Sequence, residues 1–248
     1  MDPVNIWEIN AATVSQSDSR RLLDCLSPDE RHRLDRFIPF SSQRNFLVGR
    51  GCLRHLLGHR LGRSPASLEF NYGPQGKPQL QPGTNALTKA SLPHFNLSHS
   101  GDRLLIAIGP YPLGIDVEQP RSLADLQRLC QRCLTPREQE RLLCLPQAQA
   151  MQLFFHFWTG KEAYLKATGQ GLTLTMMAVE LAPEAMLKTA CPTPLTVLKG
   201  IDQGWRLYQW SLRSQHVAAL ALQLSPGVDC PQLILHFSNI PTILAMAA

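Results

Sequence analysis

The chain has 248 residues, and it repeats one order of elements about 110 residues apart, which restricts the folds open to it. Ser27–Glu30 has the pattern of a capping box, with serine as the cap, proline at the first helical position and glutamate three residues after the cap. Thr135–Glu138 repeats that pattern 108 residues later. Gly49-Arg50, within a helical run, is matched by Gly160-Lys161 at a spacing of 111. Shared order and nearly constant spacing indicate an internal repeat.

The same spacing relates two short strand patterns, residues 68–70 and 179–181. We therefore predict an α+β fold (two-layer α/β) of two similar half-domains related by pseudo-twofold symmetry, residues 1–112 and 113–248. The groove between two such halves is the natural place for a ligand, and we expect the active site there.

The segment Gly114–Glu118 has the pattern of a strand, and two carboxylates, Asp116 and Glu118, lie at its end. Because side chains alternate along a strand, Asp116 and Glu118 point to the same side. The turn-like residues 110–113 predict a hairpin between residues 104–109 and 114–118.

A helical pattern over Trp158–Lys166 carries the other reactive side chains. Trp158, Glu162 and Lys166 recur every four residues and so share one face of the helix. Carboxylates, a lysine and a histidine brought together suit a hard divalent cation that holds a phosphate or diphosphate.

The composition of the chain indicates which classes of binding partner and which cellular location to expect. The net charge of +5 and the pI near 8.9 favour an anionic partner. The basic residues are dispersed, so a nucleic-acid binder is the weakest interpretation. No apolar run approaches the ~18 residues of a membrane helix, so we expect no membrane partner. No signal peptide is visible and the seven cysteines are scattered, which predicts a reducing, cytoplasmic location.

Each feature also has an ordinary structural explanation. Asp116 and Glu118 would fit a solvated strand end, and Glu162 with Lys166 a surface ion pair. The CxxC pair Cys130–Cys133 lies in a plausible helix without further ligands at zinc spacing, and we interpret it as structural. Only the ordered combination of motifs favours function.

That combination resembles the Sfp-type 4′-phosphopantetheinyl transferases, the broad-specificity branch that activates carrier proteins. The matching motifs, in the order of the family, are Gln75–Pro78, Asn96–Ser100, Gly114–Glu118 and Trp158–Lys166. The amino-terminal basic positions depart from the pattern, because Glu30 and Arg33 stand where relatives have lysine.

The resemblance implies transfer of the phosphopantetheine arm of coenzyme A to a serine of an apo carrier protein, with release of adenosine 3′,5′-bisphosphate. It implies Mg²⁺ held by Asp116, Glu118 and Glu162, although Mn²⁺ accepts the same oxygen ligands. It makes Glu162 a candidate base, and it places Lys166 and His99 on the diphosphate.

The remaining contacts that the resemblance implies are to the coenzyme A nucleotide and its phosphates. Ser98 would contact the nucleotide, and Lys77 would hold a phosphate from a loop. One or more of Arg33, Arg44 and Arg50 would bind phosphates, the 3′-phosphate included, since a guanidinium suits such contacts.

The second expected partner is an acyl or peptidyl carrier protein, which is acidic around its modified serine. The run Leu123–Arg141 offers arginines among leucines for that encounter, or it is an amphipathic helix with solvated arginines. We expect a monomer. Two alternatives stay open: a metal-dependent diphosphate hydrolase, and a non-catalytic module that binds coenzyme A or carrier protein.

Overall fold

The computed structural model describes residues 2–82, 92–169, 176–182, 189–201, 204–225 and 227–246. The helices are α1 (Gln16–Asp24), α2 (Pro28–Asp35), α3 (Phe40–Leu61), α4 (Leu126–Cys133), α5 (Pro136–Leu143), α6 (Gln147–Thr168) and α7 (Ile240–Met246). The strands are β1 (Val4–Asn10), β2 (Phe70–Tyr72), β3 (Pro78–Leu80), β4 (His94–Ser100), β5 (Arg103–Gly109), β6 (Leu113–Glu118), β7 (Glu180–Ala182), β8 (Thr193–Lys199), β9 (Trp205–Ser211), β10 (Val217–Gln223) and β11 (Leu233–Phe237). The mixed content confirms the α+β class.

The chain divides into two compact units. The first unit comprises Asp2–Pro110 together with Leu233–Ala248, and the second comprises Tyr111–Gln232. The sequence prediction had assigned residues 113–248 entirely to the second half, whereas residues 233–246 pack with the first. Strand partners far apart in the chain leave no trace in local patterns, so the return of the chain was not visible in the sequence.

The first unit is built on a four-stranded sheet in the order β11-β1-β5-β4. Strand β1 pairs in parallel with β11 and antiparallel with β5. Helix α3 packs against β5, α1 and α7. Alternating residues of β5 (Leu104, Ile106 and Ile108) meet apolar side chains of α3 and α7 in one buried core.

The second unit is built on an antiparallel sheet in the order β6-β10-β9-β8-β7, with α6 against β6 and β10. The sequence-based hairpin between residues 104–109 and 114–118 is wrong. Strand β5 pairs with β1 and β4, whereas β6 pairs with β10, and residues 110–112 connect the two units. The turn residues were recognised correctly, but a turn does not determine that its flanking strands pair with each other.

The helical part of the repeat is clear in both units. Helices α2 and α5 begin with complete capping boxes, in which Ser27 pairs with Glu30 and Thr135 with Glu138, as predicted. Helices α3 and α6 each have 22 residues, follow a proline and end at a left-handed glycine. Each unit therefore contains a short capped helix followed by a long helix of fixed length.

A buried ion pair ties the capped helix to the long helix in each unit. In the second unit, Lys161 Nζ donates to Glu138 Oε2 at 2.5 Å, and both side chains are at most 1% exposed. In the first unit, Arg54 Nε donates to Glu30 Oε2 at 2.7 Å. The glutamate of each capping box thus has a second role inside its unit.

These pairs correct one match of the predicted repeat. Arg54 and Lys161 are both the fifteenth residue of their 22-residue helices, and both pair with the glutamate of the capping box. Arg54, not Arg50, is therefore the structural counterpart of Lys161. The Gly-basic pattern had matched residues one helical turn out of register.

Gly114 brings β6 against α6. A Cβ atom at this position would lie 2.2 Å from the carbonyl oxygen of Ala163 and 2.3 Å from the backbone nitrogen of Ala167. No side chain fits in this space, so only glycine permits the strand and helix to approach so closely. Asp116 follows two residues later on the same side of the strand.

Within the described ranges, no helix is long and apolar enough to cross a membrane. All seven cysteines are free thiols.

Replacing Lys161 by methionine tests the buried pair. We expect Lys161→Met to lower the free energy of unfolding by about 3–5 kcal/mol, because Glu138 would remain buried as an uncompensated charge. Urea unfolding followed by circular dichroism measures the change. The matched control is Lys199→Met, which removes an exposed lysine of the same unit and should leave stability unchanged. Equal stability of Lys161→Met and the parent would contradict this account.

The close approach at Gly114 gives a second prediction. Gly114→Ala should destabilise the protein by about 1–3 kcal/mol or more, because backbone atoms of α6 must move. Gly160→Ala is the control, since a Cβ there meets side-chain atoms only, at 2.9 Å in Leu181, 3.1 Å in Leu195 and 3.9 Å in Gln209. Thermal unfolding of both variants checks the difference, and a larger loss for Gly160→Ala would contradict the assignment.

Candidate functional site

One stripe of α6 remains partly accessible to solvent. Trp158, Glu162 and Lys166 are half-buried, whereas Thr159–Lys161 and Ala163–Leu165 between them are buried. The spacing of four residues places the three side chains on one face, as the sequence predicted. The other residues from Leu153 to Ala167 are buried in the second unit, so the reactive side chains of this part of α6 lie on the partly accessible stripe.

Strand β6 places its two carboxylates toward this helix. Gly114, Asp116 and Glu118 share one side of the strand, and Gly114 lies directly against α6. Asp116 is 3% exposed and stands opposite Ala219 of β10 in the strand register. Glu118 lies at the strand end, where its carboxylate is 3.5 Å from the Arg121 guanidinium.

The helix and the strand meet through an ion pair. Lys166 Nζ donates to Asp116 Oδ1 at 2.6 Å. Burial raises the pKa of the Glu162 carboxyl, and the charges of Asp116 and Glu118 raise it further, while Lys166 opposes the shift. The structure thus brings Asp116, Glu118, Glu162 and Lys166 into one electrostatic cluster within the second unit.

The donor chemistry of this cluster suits a hard cation, because carboxylate oxygens are the preferred protein ligands of Mg²⁺. In this structure the Lys166 ammonium is the positive charge next to Asp116. Among the described residues, however, no three His, Cys, Asp or Glu side chains are arranged to hold a metal ion. The side-chain types therefore suit a metal ion, but in the present arrangement Asp116 binds the Lys166 ammonium.

In the first unit, Ser98 and His99 lie on β4. Their side chains point to opposite sides of the strand. His99 is exposed, whereas Ser98 is 5% exposed and presents little surface to a ligand. The strand pairs with β5 from His94 to Ser100.

Two of the predicted phosphate-binding arginines have acidic neighbours within the first unit. Arg44 pairs with Asp102 in the turn between β4 and β5. Arg50 is 5% exposed, and its Nε is 3.4 Å from Glu30 Oε1. Sequence spacing alone does not show such partners.

The other two predicted phosphate ligands are more accessible. Lys77 is half-buried on the β2–β3 hairpin, whose turn is closed by the Gly73 N–H donating to the Lys77 carbonyl at 2.9 Å. Burial lowers the pKa of Lys77 to about 8. Arg33 is exposed and helps to line a groove of about 550 Å³ on α2 together with Asp29, His32, Arg36 and Phe37.

The predicted carrier-docking run forms two helices, α4 and α5, instead of one. Its arginines are all exposed, and its leucines are half-buried or buried. This is the distribution of an amphipathic surface, which both interpretations of the run require. Leu143, two residues beyond the run at the end of α5, is 85% exposed.

Sequence reasoning missed the supporting residues of the site. Gly114, Glu138 and Lys161 hold α6 against the strand and the capped helix but carry no reactive role in the predicted motifs. A signal for Glu138 was present, since a capping-box glutamate recurred in the repeat. The signal for Gly114 was only that it precedes Asp116 on the same side of a strand.

Comparison with known proteins gives the family. A model described as the 4′-phosphopantetheinyl transferase superfamily matches residues 112–221. A second, described as 4′-phosphopantetheinyl transferase, N-terminal, matches residues 12–110. Together the two models cover most of both structural units.

Individual relatives of the chain are also named as phosphopantetheinyl transferases. The chain is 41% identical over 193 residues to 4′-phosphopantetheinyl transferase HetI of Nostoc sp., covering 76% of this chain and 79% of the relative. It is 26% identical over 163 residues to 4′-phosphopantetheinyl transferase Sfp of Bacillus subtilis, covering 66% and 69%. A rat L-aminoadipate-semialdehyde dehydrogenase-phosphopantetheinyl transferase is 25% identical over 234 residues, covering 89% and 75%.

These matches confirm the resemblance that the motifs had indicated. The chain belongs to the 4′-phosphopantetheinyl transferase family and is an enzyme of that transferase class.

Proposed function

We propose that this protein transfers the 4′-phosphopantetheine arm of coenzyme A to a serine of an apo acyl or peptidyl carrier protein. The serine Oγ attacks the β-phosphorus, the bond to the leaving phosphate breaks, and adenosine 3′,5′-bisphosphate departs. The observation that supports this reaction is the cluster of Glu162, Lys166, Asp116 and Glu118. Enzymes of phosphoryl transfer act mainly by positioning groups and neutralising charge, and this cluster supplies both signs of charge.

Glu162 is the proposed base. Its pKa is raised by burial and by the charges of Asp116 and Glu118. A carboxylate with a raised pKa accepts a proton more readily near neutral pH. Because a carboxylate bound to Mg²⁺ is a weak base, the role of base requires that Glu162 keep one oxygen free of the ion or change its coordination. The half-exposed position of Glu162 on α6 keeps it open to a serine hydroxyl. The proton of the attacking serine would therefore move to a Glu162 carboxylate oxygen, directly or through one water.

Asp116, Glu118 and Glu162 are the residues that would hold Mg²⁺, or Mn²⁺ in its place. The bound ion supplies charge neutralisation for the diphosphate and for the departing phosphate. Lys166 Nζ donates to Asp116 Oδ1, so Asp116 would hold the ion through its second carboxylate oxygen, or through Oδ1 if that bond breaks. Lys166 is one helical turn from Glu162, and we propose that its ammonium contacts a diphosphate oxygen.

Residues of the first unit would contact coenzyme A. His99 is exposed on β4 and is proposed to donate a hydrogen bond to the diphosphate, with Ser98 supporting the strand next to it. Lys77 and Arg33 are the accessible cations proposed for phosphate binding. The seven free thiols support the further proposal of a reducing, cytoplasmic location. We also propose a monomer.

Mass spectrometry of the carrier protein tests the reaction. Purified protein, coenzyme A, Mg²⁺ and an apo acyl carrier protein are mixed, and the intact carrier is weighed. We expect a gain of one phosphopantetheine group that is lost with EDTA and lost at least a hundredfold in rate with Glu162→Gln. Glu69→Gln, which makes the same change at an exposed carboxylate of the first unit, should retain the rate.

The alternatives give different results in this assay. Free phosphopantetheine without modified carrier would identify a hydrolase. Binding of coenzyme A without any product, with several different apo carriers, would identify a non-catalytic module. Either result would overturn the proposed transfer.

The pKa of Lys77 makes coenzyme A binding depend on pH. The lysine is protonated below pH about 8 and loses its charge above it. A phosphate contact from Lys77 should therefore weaken as pH rises, with Kd for coenzyme A increasing about fivefold between pH 8 and 9. Isothermal titration at several pH values measures this.

Lys77→Arg is the control, because a guanidinium stays charged throughout this range. The variant should bind coenzyme A with little change between pH 8 and 9. A wild-type Kd that does not change with pH, or an equal change in both proteins, would remove Lys77 from the phosphate site.

A further inference from the structure

His55 has an unusual environment among the buried histidines. It lies on α3 and is 8% exposed, and both of its ring nitrogens are buried without a hydrogen-bond partner among the described residues. The other buried histidines of the described chain, His156 and His216, each form a hydrogen bond through Nδ1. A neutral imidazole has one donor and one acceptor, so the position of His55 leaves both unsatisfied. Such burial is unfavourable, and it becomes more so when the ring takes up a second proton.

The face of α3 that carries His55 touches α1, and α1 is bonded to α7. At Gly51, one turn before His55, a Cβ atom would lie 2.6 Å from the side chain of Leu22 in α1. Arg21, the neighbour of Leu22, donates from Nη2 to the Leu244 carbonyl oxygen of α7 at 3.0 Å. This bond satisfies a carbonyl of the last turn of α7 and fastens that helix to α1.

The described groups around His55 include a cation but no available counter-ion. Burial lowers the pKa of His55, and the positive charge of Arg21 lowers it further. The buried carboxylates of α1 and α2 have other partners, because Asp18 bonds within the capping box of α1 and Glu30 pairs with Arg54. The other elements packed against α3 are α7, the inner side of β5 and the short 3-10 turns after β1 and α3, and they present no ionisable side chain.

Helix α7 is the element of this region that local opening would release. It has seven residues, fewer than an isolated helix needs for stability in water. Its buried residues Ile240, Ile243 and Leu244 join the apolar core of the first unit. Helix α3, in contrast, has 22 residues and also packs against β5. Separation of α7 from α1 and α3 would therefore leave the sheet paired and α3 in place.

We propose that His55 is an acid-sensitive latch for α7, so that protonation of its ring separates α7 from α1 and α3. The imidazolium would have two donors without acceptors and would lie in the field of the Arg21 guanidinium. Opening would admit water to both charges and break the bond from Arg21 to the Leu244 carbonyl. The latch belongs to the helical layer of the first unit and operates with or without transferase activity.

The direction of the pH dependence follows from the pKa of His55. An exposed histidine takes up its proton near pH 6.5, and the open state approaches this value, whereas burial keeps the pKa lower in the closed state. The open state therefore binds the proton more tightly. The closed state keeps its full stability above pH about 6.5 and loses stability as the pH falls. From pH 7.5 to pH 5.5, one such proton increases the equilibrium constant for opening by up to about tenfold.

Amide hydrogen exchange measured by mass spectrometry tests the latch. The full chain is labelled at pH about 7.5 and about 5.5, and the rates are corrected for the intrinsic pH dependence of exchange. In the parent, the protection of peptides from α7 should fall severalfold, by up to about tenfold, at the lower pH. His55→Gln should abolish this change. His59→Gln, which removes an exposed histidine one turn further along α3, should retain it.

Two further measurements make the test independent of how well His55→Gln folds. His55→Met removes both unsatisfied ring nitrogens, so it should protect α7 equally at both pH values. In the parent, NMR of the histidine rings should show that His55 takes up its proton at a lower pH than exposed His32.

Several results would overturn the latch. Equal protection of α7 at both pH values in the parent is one, and an unchanged pH dependence in His55→Gln or His55→Met is another. A third is a His55 ring that titrates together with His32 or at a higher pH. Finally, an equal loss of protection in β1 and β5 at the lower pH would show cooperative unfolding of the whole unit instead of local opening.

Discussion

The capping-box glutamate is the interaction on which the candidate site depends. Glu138 accepts the Thr135 N–H, the Lys161 ammonium and the Leu181 N–H, so one carboxylate joins α5, α6 and β7. Lys161 also donates to the carbonyl of Cys133 at the end of α4. Because Lys161 is buried and bonded to both of these groups, the rotation of α6 about its axis is fixed. Glu162, the next residue, therefore emerges at a defined place.

The position of the strand is determined by the absence of a side chain. At Gly114 the backbones of β6 and α6 approach each other more closely than any Cβ would permit. This approach brings Asp116 within reach of Lys166, and it brings the carboxylates of both elements close together. Burial raises the pKa of Glu162, and the repulsion from Asp116 and Glu118 raises it further, so the same packing that is electrostatically unfavourable also tunes a candidate base.

Local patterns in the sequence were sufficient to predict β6 and α6, the two elements that carry the charged cluster of the second unit. Alternation placed Asp116 and Glu118 on one side of a strand, and the helical period placed Glu162 and Lys166 on one face, and both features are present. Capping boxes at Ser27 and Thr135 were also read correctly, because hydrogen bonds within three residues depend only on local chemistry.

Pairing between distant residues was not predictable in the same way. The hairpin expected at residues 110–113 does not form, since both flanking strands find other partners. Arg44 and Arg50 were assigned to phosphates without knowledge of Asp102 and Glu30 beside them. Spacing shows which residues share a face, but it does not show which group of another element lies opposite.

The pairing of β11 with β1 has a consequence for the order in which the protein folds during synthesis. The second unit is one continuous stretch, Tyr111–Gln232, and all its strands are available once that stretch has left the ribosome. The first unit must wait for residues 233–246, since β1 has no parallel partner until then, and the α3 surface that receives Ile240 and Ile243 is open. The half that is made first is therefore the half that is completed last. During that interval an unpaired strand edge and an apolar helix face are exposed to other chains.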